Sequence, residues 1–212
     1  MGLNTKGALQ TSLEQYTKTI RRWENVMEAL LHVAIGIGLS TAAGFRILVP
    51  FLVMGVAAHT GYLSLAPEMA WMGSTPAIVG FAIATLLEVL IYFIPVVDNI
   101  MDAIELPLAA IAGTVLTAAV TSDIDPFLRW SLALIAGGSV AGGTEAFMGL
   151  ARLASTAAAG PIGNIAVSSA ELVSATILSV LAILVPILAL VVLVVLVYLT
   201  FGRRGKRRHS DS

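Results

Sequence analysis

The sequence predicts an all-α integral membrane protein, a polytopic bundle of about six spans. Hydrophobic residues make up 58% of the 212 residues and charged residues only 12%, about half the charge of an ordinary soluble domain. The mean hydropathy is +0.92. Several apolar runs also approach the ~20 residues that cross ~30 Å of hydrocarbon. A chain of this length suits one membrane domain and leaves no room for a second globular one.

Residues 1–26 are expected to form a cytoplasmic amphipathic helix. Leu9, Leu13, Tyr16 and Ile20 follow one another at spacings of three and four residues, which places them on one helix face. Such a helix would lie on the inner membrane surface. A plain solvated helical extension fits the same residues.

The transmembrane domain is predicted over residues 27–202, with one half at about 27–121 and the other at about 128–202. Short polar or Pro/Gly segments separate six candidate spans, at 27–59, 76–95, 99–121, 128–151, 163–185 and 187–202. The first candidate is too long for one straight span, so it is either a broken helix or two short segments meeting near Gly44. Six spans is the favoured count and eight the alternative.

The charge distribution predicts the topology. Of the twelve Lys and Arg residues, four precede the first apolar run and five follow the last one. By the positive-inside rule both termini then face the cytoplasm, which requires an even number of spans. We expect a multi-pass protein of the cell (inner) membrane whose basic tail, 203–212, attracts anionic lipids. Nucleic-acid binding is not expected of a tail beside a membrane.

Two short stretches predict an internal repeat. "GLSTAAGFR" at 38–46 and "GGSVAGGTE" at 137–145 share Gly, Ser, Ala and Gly at their first, third, fifth and seventh positions, and end in Arg46 and Glu145. Three spans per half would give the two copies opposite orientations. This is the inverted 3+3 repeat common among transporters, whose sites lie where helices are broken.

The same stretches resemble a known family. "GLSTAAGFRILVPFL", "LLEVLIYFIPVVDNIMDAIELPLAAIAG" and "GGSVAGGTEAFMGLARLASTAAAGPIGNIAVSSAEL" resemble the three signature blocks of the bacterial membrane family catalogued as domain of unknown function 4126. The likeness covers roughly residues 30 to 190. It implies a membrane fold and assigns no activity.

Several ionisable residues fall inside the apolar segments, where a charge costs ~2.5–3.5 kcal/mol and usually marks a pathway. Glu88 lies twelve residues after Pro76, ~18 Å along a helix and near mid-membrane. Asp98, Asp102 and Glu105 form one acidic stripe. Asp98 suits a helix N-cap, whereas Asp102 and Glu105 lie deeper, beside a bend expected at Pro107.

Arg46 and Glu145 are expected to pair across the repeat, with Glu88 as an alternative partner for Arg46. Asn164 and Glu171 stand at a break followed by a helix start, where they could contact a cation or substrate. Arg152 is interpreted as an interfacial anchor. Tightly packed small residues, and carboxyls that are simply paired, would explain these same positions without a pathway.

The sequence contains no motif for catalysis or metal binding. It has no Cys, and its three His residues show no metal-binding spacing. We therefore expect no catalytic residue, cofactor or metal, and a protein that is not an enzyme. The favoured hypothesis is a small transporter or channel with a carboxylate-lined path for protons, a cation or a cation-coupled solute. The alternative is a non-transporting scaffold or lipid-interacting protein. A homo-oligomer fits either hypothesis.

Overall fold

The computed structural model describes residues 4–91, 95–122, 124–186, 188 and 195, with the side chains of 4–9, 11–12, 91, 95–103, 161–162 and 164–165 outside that description. Every regular element in this part of the chain is helical, so the all-α prediction is confirmed. In chain order these are α1 (Asn4–Ala43), α2 (Leu48–His59), a 3₁₀ helix (Pro67–Gly73), α3 (Thr75–Ile91), α4 (Pro95–Val120), α5 (Pro126–Leu132), a π-helical segment (Ala133–Gly138) and α6 (Ser139–Leu184).

The core lies where the C-terminal half of α1 packs against α4 and α6. Small residues allow this close approach: a side chain at Gly36 would meet Thr117 at 3.0 Å. Polar bonds join the same helices, because the Ser40 hydroxyl donates to the Gly113 carbonyl at 2.8 Å and lies 2.8 Å from the Thr117 hydroxyl. Close backbones and interhelical hydrogen bonds are the usual means of helix association in membranes.

The long first apolar run is broken, as the sequence predicts. Helix α1 ends at Ala43 and α2 begins at Leu48. The turn between them presses on α6, because a Cβ at Gly44 would lie 2.4 Å from Cβ of Thr144 and 2.5 Å from the Ala141 carbonyl oxygen. Glycine is therefore required for this contact.

A second predicted break lies inside α6, at Gly160. This residue has φ +63° and ψ −149°, which divides the element into two helical parts. Only glycine adopts such a conformation without strain. The two parts correspond to the separate candidate spans that the sequence places on either side of this break.

The two halves of the proposed repeat differ in backbone. The stretch 38–46 contains the turn after α1, whereas 137–145 runs without a turn from the π-helical segment into α6. The two stretches do pack together, through Gly44 on Ala141 and Thr144. The inverted 3+3 repeat is thus not confirmed, and the contact of Gly44 with Ala141 gives two of the shared small residues a packing role.

A six-span bundle is likewise not confirmed. Among the described residues two helices are long and apolar enough to cross a membrane, Leu13–Ala43 and Ala166–Leu184. A third qualifies if Pro67–Gly73 and Thr75–Leu90, which meet at 65°, form one bent span. Helix α2 has 12 residues, or ~18 Å, which is too short to cross. The candidate span 187–202 and the tail 203–212 lie outside the described residues, apart from 188 and 195.

The predicted N-terminal helix is present but does not end near residue 26. It continues without interruption into the bundle as α1. Asp98 is also not at an N-cap, because the α4 backbone is already helical from Pro95. An aspartate does cap α5, where the Asp125 side chain accepts from the backbone N–H groups of Phe127 and Leu128.

Candidate functional site

Arg152 stands at the centre of a buried cluster of charges. Its side chain is 2% exposed and forms three ion pairs, at 3.0 Å with Glu105, 2.7 Å with Glu145 and 3.0 Å with Glu171. Glu105 comes from α4, and the other two carboxyls come from the two parts of α6. One guanidinium group therefore joins three helical segments that are distant in sequence. The planar fork of arginine donors suits such sharing between carboxylates.

Arg46 extends this cluster toward the turn after α1. Its Nη2 atom lies 3.3 Å from Oε2 of Glu171 and donates to the carbonyl oxygen of Ser168 at 3.3 Å. Glu171 is fully buried and is shared by Arg46 and Arg152. The two arginines are thus connected through one carboxyl group.

Glu88 lies beside the same turn and holds the start of α2. Its two carboxyl oxygens accept from the backbone N–H groups of Ile47 and Leu48, at 2.8 and 3.2 Å. These groups would otherwise be orphan donors at a helix N-terminus, where a negative charge is favourable. The charges of Arg46 and Glu105 both act on the Glu88 carboxyl. We call Arg46, Glu88, Glu105, Glu145, Arg152 and Glu171 the charge network.

Two carboxyls of the charge network share one guanidinium group. Glu105 and Glu145 both pair with Arg152, at 3.0 and 2.7 Å. If all groups were ionised, four carboxylates would face two guanidinium groups. The charge network therefore has more carboxyl groups than guanidinium groups.

An apolar groove of about 510 Å³ reaches the charge network from the outside. It lies between α2, α3 and α4, and Glu88 and Glu105 are its two charged lining residues. Its other walls are formed mainly by large apolar side chains, among them Leu48, Phe51, Leu87, Leu108, Ile111 and Val115. The groove gives the two carboxyls a route to the surface of the bundle.

The structure brings together five of the eight residues that the sequence singles out, namely Arg46, Glu88, Glu105, Glu145 and Glu171. Arg46 pairs with Glu171 and Glu145 pairs with Arg152, two pairings that are not among those proposed from the sequence. The side chains of Asp98, Asp102 and Asn164 lie outside the described residues. Helix α4 continues through Pro107, past Glu105.

Sequence reasoning missed Arg152, which it placed at the membrane interface. A signal was available, because Arg152 follows Glu145 by seven residues, and two helical turns return the chain to the same face. A further buried arginine, Arg129, pairs with Glu68 outside the charge network. The Glu68 side chain is half exposed, so this pair is in contact with the surroundings.

The fold and the site define a class, a helical protein with apolar helices compatible with a membrane and a buried network of arginines and glutamates. No group of three or more His, Asp or Glu in the described part of the chain is arranged to hold a metal ion. The family described as domain of unknown function (DUF4126) matches residues 33–203, and the chain belongs to this family. Searches of curated proteins and of solved structures gave no match.

Proposed function

We propose that this protein is a small membrane transporter or channel in which the charge network carries protons, alone or coupled to a small cation or solute. The observation that carries the proposal is the excess of buried carboxyls over buried guanidinium groups. Ionisable residues inside a membrane are costly and commonly belong to proton or ion pathways. Four glutamates around two arginines exceed what a static ion pair requires.

The contacts within the charge network support proton movement. Glu105 and Glu145 both pair with Arg152, so the two carboxyls lie on the same guanidinium group. A proton that passes from one carboxyl to the other leaves both carboxyls beside the same guanidinium group. The transfer therefore needs little rearrangement of buried charge.

The apolar groove identifies the two carboxyls of the charge network that lie nearest the surface of the bundle. Glu88 and Glu105 line the groove, whereas Glu145 and Glu171 lie deeper, on α6. A proton that reaches Glu105 from this side would lie beside Arg152, which also contacts Glu145. In this proposal the protein is a multi-pass protein of the inner membrane with both termini in the cytoplasm, and it acts without a cofactor or covalent catalysis.

Proton flux in liposomes tests the proposal. Purified protein is reconstituted into liposomes that contain a pH-sensitive dye. Potassium efflux through valinomycin makes the interior negative, which draws protons inward, and the dye reports the internal pH. We expect wild-type protein to admit protons and Glu88→Gln to slow their entry, because Gln keeps an acceptor for the α2 start but cannot bind a proton. Glu28→Gln, on the exposed surface of α1, is the matched control. Equal flux for wild type and Glu88→Gln would remove Glu88 from the pathway.

A second candidate is a non-transporting scaffold, favoured by the completeness of the ion pairing around Arg152. A static pair can be replaced by apolar residues at little cost. The double variant Arg46→Met/Glu171→Leu distinguishes the two functions. Absence of flux in wild-type liposomes, together with normal folding of this double variant, would favour the scaffold.

A further inference from the structure

The N-terminal part of α1 extends beyond the bundle and carries an apolar stripe that no other helix in the described part of the chain covers. Six large side chains recur along it at spacings of three, four, three, four and three residues, at Leu13, Tyr16, Ile20, Trp23, Met27 and Leu30. Each is between 41% and 67% exposed. Spacings that alternate between three and four residues keep such side chains in one straight seam, which is the pattern of a coiled coil.

The geometry of α1 argues against the membrane surface as the cover for this stripe. The helix is continuous from Asn4 to Ala43, and its C-terminal end is fully buried in the bundle at Leu39, Ala42 and Ala43. Residues 8–35 contain neither Pro nor Gly, the usual causes of a sharp kink. If α1 crosses the bilayer as a straight helix, its N-terminal extension points away from the membrane surface. The N-terminal part of the stripe then lies in water.

We propose that the stripe pairs with the same stripe of a second copy of this chain, as a parallel two-stranded coiled coil. Two copies inserted in one membrane have the same orientation, so their extensions run parallel and in register. Leu13, Ile20 and Met27 then occupy one set of core positions, and Tyr16, Trp23 and Leu30 occupy the other. Shared anchoring in the bilayer raises the effective concentration of each helix for the other.

The area of the stripe and the charges beside it are compatible with the stripe of a second copy as the partner. Tyr16 and Trp23 can each bury ~150–250 Å², and four aliphatic side chains add to this, which approaches the ~800 Å² per partner of a standard interface. Thr17, Thr19, Glu24 and Val26 flank the seam. In a parallel pair Glu24 faces Thr19 of the second copy, so no like charges oppose each other.

Cysteine cross-linking tests this pairing, because the chain contains no native cysteine. Single variants Leu13→Cys and Ile20→Cys put a thiol in the seam, where the same residue of a parallel partner lies close enough for a disulfide, with Cβ atoms ~3.8 Å apart. Lys18→Cys and Asn25→Cys put it on the far side of the helix. All four positions are exposed, so the substitutions leave the bundle intact.

After mild oxidation in membranes we expect several-fold more covalent dimer from the seam variants than from the far-side variants. Ile20→Lys should convert the non-covalent dimer in mild detergent to a monomer with an unchanged melting temperature. Equal cross-linking on both sides, or none in the seam, would overturn the proposal, and so would a wild-type monomer. The result is independent of proton flux, which the extension of α1 does not carry.

Discussion

Replacing Arg152 with methionine removes the group that joins the charge network. Methionine fills similar space but leaves three carboxyls buried without their shared cation. The side chain is 2% exposed and its three pairs lie at 2.7–3.0 Å, so water cannot take its place. Removing one partner of a buried ion pair costs ~3–5 kcal/mol, and in a chain of this size that corresponds to a fall of ~6–20 °C in melting temperature.

The assay is thermal unfolding in detergent, followed by intrinsic fluorescence, with Arg129→Met as the matched control. Arg129 is also buried, but its partner Glu68 is half exposed and regains water, so we expect a loss of only ~1 kcal/mol. Adding Glu145→Gln to Arg152→Met should restore part of the stability, since it removes an uncompensated charge. Equal losses for Arg152→Met and Arg129→Met would refute this description of the network.

The Arg152→Met deficit should depend on pH. The carboxyls that lose their cation are penalised when ionised, and protonation at acidic pH removes that penalty. Stability relative to wild type should therefore recover as the pH falls and decline as it rises. A deficit of equal size at acidic and alkaline pH would mean that lost packing, rather than uncompensated charge, causes it.

Two further substitutions test the local structure around the site. Gly44→Ala should cost ~1–3 kcal/mol through overpacking, since its Cβ would lie 2.4 Å from Thr144 Cβ. Gly143→Ala has open space and should gain up to ~1 kcal/mol of helix propensity. Thermal unfolding of the two variants measures both effects, and equal shifts in melting temperature would contradict the close contact at Gly44. Asp125→Ala should cost ~0.5–2 kcal/mol through the lost cap of α5, while Asp125→Asn retains most stability; equal losses for both would exclude the cap.

The sequence predicts the helical class and both helix breaks, because these depend on local signals. Small residues near Gly44 and the Gly160–Pro161 pair disfavour a continuous helix wherever they stand. The number of spans is not predictable in this way. Helix α2 is as apolar as a true span but has only 12 residues, and its short length follows from the turn that packs Gly44 on α6.

Which residues pair within the charge network could not be predicted from the sequence either. Burial of Glu88, Glu105, Glu145 and Glu171 follows from their apolar surroundings, but Arg46 and Glu171 are 125 residues apart and meet only because the α1 turn packs on α6. The pairing of Arg152 with Glu145 could have been predicted, because the two residues are two helical turns apart. The role of Glu88 as a cap for α2 depends on a tertiary contact that no local pattern encodes.

The central claim is that the charge network moves protons, and the rate of proton entry into liposomes tests it most directly. Wild-type protein should collapse an imposed pH gradient faster than empty liposomes, and Glu105→Gln should slow this collapse because it removes a carboxyl that both lines the groove and pairs with Arg152. A wild-type rate equal to that of empty liposomes, from protein shown to be folded, would contradict the claim.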